Sequence, residues 1–213
     1  MSELLQTYGT QLFRAIGIHT VYVAVSVFCG FILGVLMGIA LSRIPKWSFI
    51  ILPVVSIFQT IPGLVFIGIL FLITGMTPAT VVIALTVYAI FPVMKNTYTG
   101  ILGVERSYVD AAQGCGMTSR QCLRHVELPL ALPSIIAGLR MSAVYTVSWA
   151  VLAAMIGLGG LGDFIYQGTS SNNNTLILLG AIPAAILAIV IGALIDLLQK
   201  KVTPRGLRRA VER

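Results

Sequence analysis

Charge is what this chain has least of. Asp, Glu, Lys and Arg make up 10% of its 213 residues, where a water-soluble domain carries about a quarter. Hydrophobic residues make up 57% and mean hydropathy is +0.96, so there is too little polar surface to keep every side wet. That excludes a soluble globular protein. It leaves an all-α integral membrane protein, with room for about five or six spans of roughly 20 residues each.

Cysteine is scarce as well. Cys29, Cys115 and Cys122 are an odd number at spacings that fit no zinc pattern and no disulfide framework. His19 and His125 are isolated, so no metal site is expected. No Gly-x-x-x-x-Gly-Lys-Ser/Thr occurs, so the chain lacks the loop that cradles ATP phosphates. Gly157 to Gly162 does spell Gly-x-Gly-x-x-Gly, but it closes an apolar run with no strand before it, and a tight turn is the expected use. The N-terminus, with Glu3, Gln6 and Gln11, does not read as a cleavable signal. The net charge of +7 does not point to nucleic acid, because the basic residues flank apolar spans.

The apolar runs predict five transmembrane helices: Thr20–Leu41, Phe49–Ile73, Ala79–Met94, Ile135–Leu158 and Leu176–Leu198. Residues 1–17 read as a separate interfacial segment, 18–199 as the transmembrane domain, and 200–213 as a basic tail. Asn174 or Thr175 is expected to cap the last span, which makes the Asn173-Asn174-Thr175 sequon a helix start. Asp196 is expected to pair with Lys200 one turn on. Lys and Arg are absent near 74–78 and 159–174. One orientation puts every basic residue except Arg14 in the cytoplasm, with the N-terminus outside and the C-terminus inside.

Two places depart from a plain bundle. Gln59, Thr60, Pro62 and Gly63 interrupt the second span. Such a break either lines a cavity or gate, or is a kink packed against neighbours. Tyr88, Tyr145 and Trp149 fit either packing or cation–π contact with a quaternary ammonium. The second place is the loop 95–134. Val104–Gly114 has helical spacing, with Val104, Tyr108, Ala111 and Ala112 on the apolar side and Glu105, Arg106 and Asp110 on the wetter one. Gly116 is placed to stop that helix, and Thr118 with Gln121 matches a capping box for a second short helix to about Val126. Leu128-Pro129 and Pro133 are expected to turn the chain into the fourth span.

The spacing Asp110-Ala111-Ala112, three residues, Gly116, nine residues, Val126, one residue, Leu128-Pro129 resembles the "EAA" loop in permease subunits of binding-protein-dependent ABC importers. Asp110 stands for that pattern's Glu and Val126 for its Ile. The resemblance covers roughly residues 15–198. Gln59-Thr60-Ile61-Pro62, Asn96 to Ile101, Val126 to Leu130, Gly159 to Gly162 and Gly180 to Pro183 look like the osmoprotectant branch, which imports glycine betaine, carnitine, choline or related quaternary amines.

The resemblance implies a type I ABC importer permease core in a bacterial cell membrane. The chain would bind no cofactor; ATP and Mg would be used by two separate ATP-binding cassette subunits. Other partners would be a second permease, identical or homologous, and an extracytoplasmic solute-binding protein or lipoprotein. Asp110, Ala111, Ala112 and Gly116 would carry the coupling, with Tyr108 and Arg120 as neighbours. Gln59, Thr60, Pro62, Tyr145 and Trp149 would line a pathway or gate. The competing reading is a self-sufficient secondary transporter or channel, which calls for intramembrane ionisable residues or an internal repeat.

Overall fold

The computed structural model describes residues 2–152 and 157–202, and every regular element among them is helical. Residues 203–213 of the basic tail and 153–156 near the end of the fourth expected span lie outside the described residues. Four helices are long and apolar enough to cross a membrane, or five if one sharply bent pair counts as a single span.

The first helix, α1 (Ser2–Arg43), runs 42 residues without a break. This corrects the expectation of a separate segment over 1–17. Nothing in that stretch ends a helix: there is no proline, and Gly9 and Gly17 alone do not stop one. At about 1.5 Å per residue α1 is roughly 63 Å long, twice the hydrocarbon core.

The second expected span is two helices, α2 (Pro45–Phe58) and α3 (Gly63–Thr74), bent by 92°. Pro62 causes the break. It disfavours helical backbone at Ile61, and it stands as the N-cap of α3 with ψ 129°. Neither half alone reaches across about 30 Å.

The third helix, α4 (Pro78–Leu102), continues eight residues past its expected end at Met94. The loop is therefore shorter than 95–134. The short helices α5 (Arg106–Gly114) and α6 (Ser119–Cys122) follow, then a π-helical turn over Leu123–Glu127 that leads directly into α7 (Leu128–Ala150). Leu128-Pro129 and Pro133 do not turn the chain, as the sequence suggested. They lie within α7, Pro129 in its first turn where a missing N–H costs least. Beyond the glycine turn at 157–160 come α8 (Gly162–Ser170) and α9 (Asn174–Val202). The α9 cap is Asn173 rather than Asn174 or Thr175: its Oδ1 accepts the N–H groups of Thr175 at 3.0 Å and Leu176 at 3.4 Å.

Helix α4 is the centre of the bundle, packed between α1 and α7. Small residues permit the approach. Gly30, Gly34 and Gly38 recur every fourth residue on α1 and lie against Ala89, Val93 and Thr97, equally spaced on α4. A methyl at Gly34 would stand 2.7 Å from the Val93 Cβ and 2.9 Å from the Ile90 carbonyl. Gly138 of α7 meets Asn96 and Pro92 in the same way. Serine hydroxyls tie the three together: Ser26 donates to the Val82 carbonyl at 3.3 Å, Ser142 to Ala89 at 2.8 Å and Ser134 to Asn96 at 2.9 Å. Large side chains point outward instead, among them Val21, Val25, Phe28, Ile32 and Leu36 along one side of α1. This inside-out arrangement suits lipid or a second protein chain.

Gly34→Leu is expected to overpack the α1–α4 seam at a cost of about 1–3 kcal/mol. The checking measurement is the thermal unfolding midpoint in mild detergent, which should fall by several degrees. Gly68→Ala, at a position with nothing within 4 Å of the added carbon, should leave that midpoint unchanged or higher.

Candidate functional site

The break between α2 and α3 is held by an exchange of hydrogen bonds with α4. Pro92 inside α4 has no N–H, so the carbonyl four residues back, on Tyr88, loses its helical donor. Gln59 Nε2 donates to that oxygen at 3.0 Å. In return the Tyr88 hydroxyl donates to the Ile61 carbonyl at 2.9 Å, the residue before Pro62. Thr60 bonds back to the Ile57 carbonyl at 2.6 Å and is exposed.

Aromatic rings fill the angle. Tyr88 stacks on Trp149 with centroids 4.1 Å apart and planes 23° apart, and Phe66 meets Tyr88 edge-on at 5.5 Å. Gly63 starts α3 against the Trp149 ring, so any Cβ there would fall inside the indole. Tyr88 and Trp149 turn faces toward each other, which closes those faces to a cation. Tyr145, half exposed on α7, is not in the cluster.

The segment between α4 and α7 is a compact elbow. Helix α5 ends on Cys115, and Gly116 takes φ +85°. The Gly116 N–H bonds the Gln113 carbonyl at 2.9 Å and the Met117 N–H bonds Ala112 at 3.1 Å, the paired bonds of a Schellman turn. Thr118 then caps α6: its N–H donates to Gln121 Oε1 at 2.8 Å, and its hydroxyl accepts the Gln121 N–H at 3.4 Å. Both features follow the sequence expectation. Only Ala112 of the expected apolar side is buried; Ala111, Asp110 and Arg120 are exposed, and Tyr108 is 55% exposed. The elbow thus displays Tyr108, Asp110 and Ala111 outward. An added carbon at Gly116 meets nothing within 4 Å, so φ, not space, calls for glycine there.

Sequence reasoning missed two ion pairs. Arg43, at the end of α1, forms a two-pronged pair with Glu127, the last residue of the π turn. No local pattern signals a partner 84 positions away. Asp196 pairs with Arg140 of α7 at 2.9 Å, which corrects the expected Asp196–Lys200 pair.

At the opposite end of the bundle Gly157, Gly159 and Gly160 all have positive φ, so the Gly-x-Gly-x-x-Gly match is a tight turn, as expected. A cleft of about 560 Å³ opens beside it, lined by Arg14, Tyr22, Asp163 and Gln167 among others. Burial raises the Asp163 carboxyl above the usual carboxylate range. His19 is fully buried behind the turn, with its Nε2 3.1 Å from the Val147 carbonyl, and it joins α1 to α7.

Gly63→Val is expected to displace the indole of Trp149 from Tyr88. In a Trp47→Phe background, which leaves Trp149 as the sole tryptophan, its selectively excited emission should shift to the red and become more quenchable by aqueous acrylamide.

The chain is similar over nearly its whole length to curated proteins of known role. It is 39% identical over 208 residues to the glycine betaine/carnitine/choline transport system permease protein OpuCB of Bacillus subtilis (strain 168), covering 98% of this chain and 96% of that one. It is 40% identical over 187 residues to the carnitine transport permease protein OpuCB of Listeria monocytogenes, covering 88% and 86%. Its fold matches a solved inward-facing structure of the MetNI methionine ABC transporter with TM-score 0.83 at 25% identity, covering 96% of this chain and 100% of that one. Residues 30–207 match the model of the binding-protein-dependent transport system inner membrane component family, and the chain belongs to that family.

Proposed function

We propose that this chain is the membrane-spanning subunit of a bacterial ATP-driven importer for small quaternary-amine solutes such as glycine betaine, carnitine and choline. The observation that carries the reading is the elbow. A Schellman turn and a capping box fix it rigidly between two membrane helices, and it shows a tyrosine, an aspartate and an alanine to the outside. Such a surface fits a groove on a separate soluble subunit. Two ATP-binding cassette subunits would each take one elbow, and the chain would pair with a second permease, identical or similar. The solute class rests on the names of the relatives.

In this reading the Arg43 end of the bundle faces the cytoplasm, so the N-terminus is outside and the C-terminus inside. The support is the clustering of Arg43, Lys46, Arg106, Arg120, Arg124, Lys200 and Lys201 at that end. The glycine turn and its cleft then face the extracytoplasmic binding protein. ATP and Mg stay with the ATPase. Gln59, Thr60, Pro62 and Trp149 belong to a gate whose angle is set by the bonds to Tyr88, and Tyr145 to the pathway beside it. The deciding experiment is purification in mild detergent with identification of the co-purifying proteins, followed by uptake of labelled betaine, carnitine and choline. Solute movement by the chain alone in vesicles, with no ATPase present, would overturn the reading in favour of a self-sufficient carrier or channel.

Gly116→Trp should leave the chain in the membrane, stop uptake and release the ATPase, because the indole projects into open space on the docking side. Gly116→Ala imposes the backbone strain of about 1–2 kcal/mol without the bulk. It should keep the ATPase bound in a pull-down.

A further inference from the structure

The coupling elbow is joined covalently to the bundle at both ends: α4 runs through Gly103, Val104 and Glu105 into α5, and α6 continues through the π turn into α7. The π turn interrupts the α-helical pattern between α6 and α7, and a proline follows two residues after it. Helix α1 has no covalent join to the elbow; its charged link there is the Arg43–Glu127 pair. Both guanidinium Nη atoms meet both carboxylate oxygens, fork to fork, with Nη1 3.3 Å from Oε1. The Glu127 side chain is only 9% exposed, so its charge has little water to fall back on.

The two partners stand in informative places. Glu127 closes the π turn, on the elbow side of α7. Arg43 is the last residue of a helix unbroken over 42 residues and zipped to α4 through Gly30, Gly34 and Gly38. Midway along its length α1 touches the glycine turn: the Tyr22 hydroxyl donates to the Leu158 carbonyl at 3.0 Å. Phe31, Val35 and Ile39 of α1 and Leu123 and Leu128 beside the pair pack on the buried Ile101, Ala131 and Ile135, and apolar contacts of this kind have no fixed direction. The ion pair is the directional link.

We propose that Arg43 and Glu127 are positioning residues for transport. They tie α1, which has no covalent join to the elbow, to the end of the π turn where the elbow enters α7, so that α1 follows the elbow together with α4 and α7. The inference rests on the elbow being the ATPase-docking element.

The test uses the assembled transporter in proteoliposomes, with uptake, ATP hydrolysis and subunit content measured on one preparation. R43Q and E127Q should retain the ATPase subunit and hydrolyse ATP near the wild-type rate, while uptake per ATP falls about tenfold, within the range of ordinary coupling energies. The reversed pair R43E/E127R should recover most of the loss. R43K, which keeps the charge but not the fork, should fall between. Unchanged uptake per ATP in the single variants would overturn the proposal. So would a parallel loss of assembly and both activities that the reversed pair does not repair, since that marks a merely structural pair. Failure of the wild-type chain to retain the ATPase would instead remove the docking reading itself.

Discussion

A bilayer offers no water to a backbone carbonyl that has lost its helical donor, and that constraint organises this molecule. Pro92 takes the helical donor from the Tyr88 carbonyl, and the break at Pro62 leaves the Ile61 carbonyl without one, because the Val65 and Phe66 amides of α3 bond Pro62 instead. The chain answers with side chains across the gap: Gln59 to the Tyr88 carbonyl, and the Tyr88 hydroxyl to the Ile61 carbonyl. These reciprocal bonds fix the bend between α2 and α3 at one angle. Without them the break would be a pair of unsatisfied groups at membrane depth; with them it is a defined corner faced with aromatic rings.

The same logic explains why the elbow is compact. Each helix end leaves unpaired N–H or C=O groups. Between α5 and α6 the Schellman turn supplies partners for the carbonyls and the capping box for the amides. Seven residues, Ala112 to Thr118, thus change direction with their polar groups mostly paired locally. A segment so tied moves as one piece, which is what a part that passes mechanical force between subunits requires.

Both features of the elbow were legible in the sequence, because Gly116 and the Thr118–Gln121 spacing are local signals tied to local bonds. The break at Pro62 and the approximate span centres were legible for a similar reason. What was not legible depended on partners distant in the chain. Arg43 looked like a marker of membrane orientation, and nothing near it pointed to Glu127. Asp196 had an acceptable partner one turn away in Lys200 and took Arg140 on a different helix instead. Tyr108, Ala111 and Ala112 read as one apolar side of α5, and which of them packs inside, Ala112, is set by neighbours the local pattern does not contain. The interfacial segment vanished into α1 for want of any residue that would stop a helix.

Set against each other, the stiff and yielding parts divide the bundle. Helices α1 and α4 meet along a glycine zipper too close for side chains to intervene, so they move together. Helix α9 is different: most of its apolar surface is uncovered, and its link to α7 at Asp196 is half exposed. The bent α2–α3 pair is held mainly by hydrogen bonds and ring contacts at its corner, leaving Leu72 and Ile73 at the far tip of α3 largely uncovered. Closure driven from the elbow would therefore carry α1, α4 and α7 as a block, and the corner and α9 are where relative motion costs least. The gate proposed for the corner would gain from this. Its angle is set by bonds to α4, so displacement of the block carries Tyr88 with it and draws on Gln59 and the Ile61 carbonyl together.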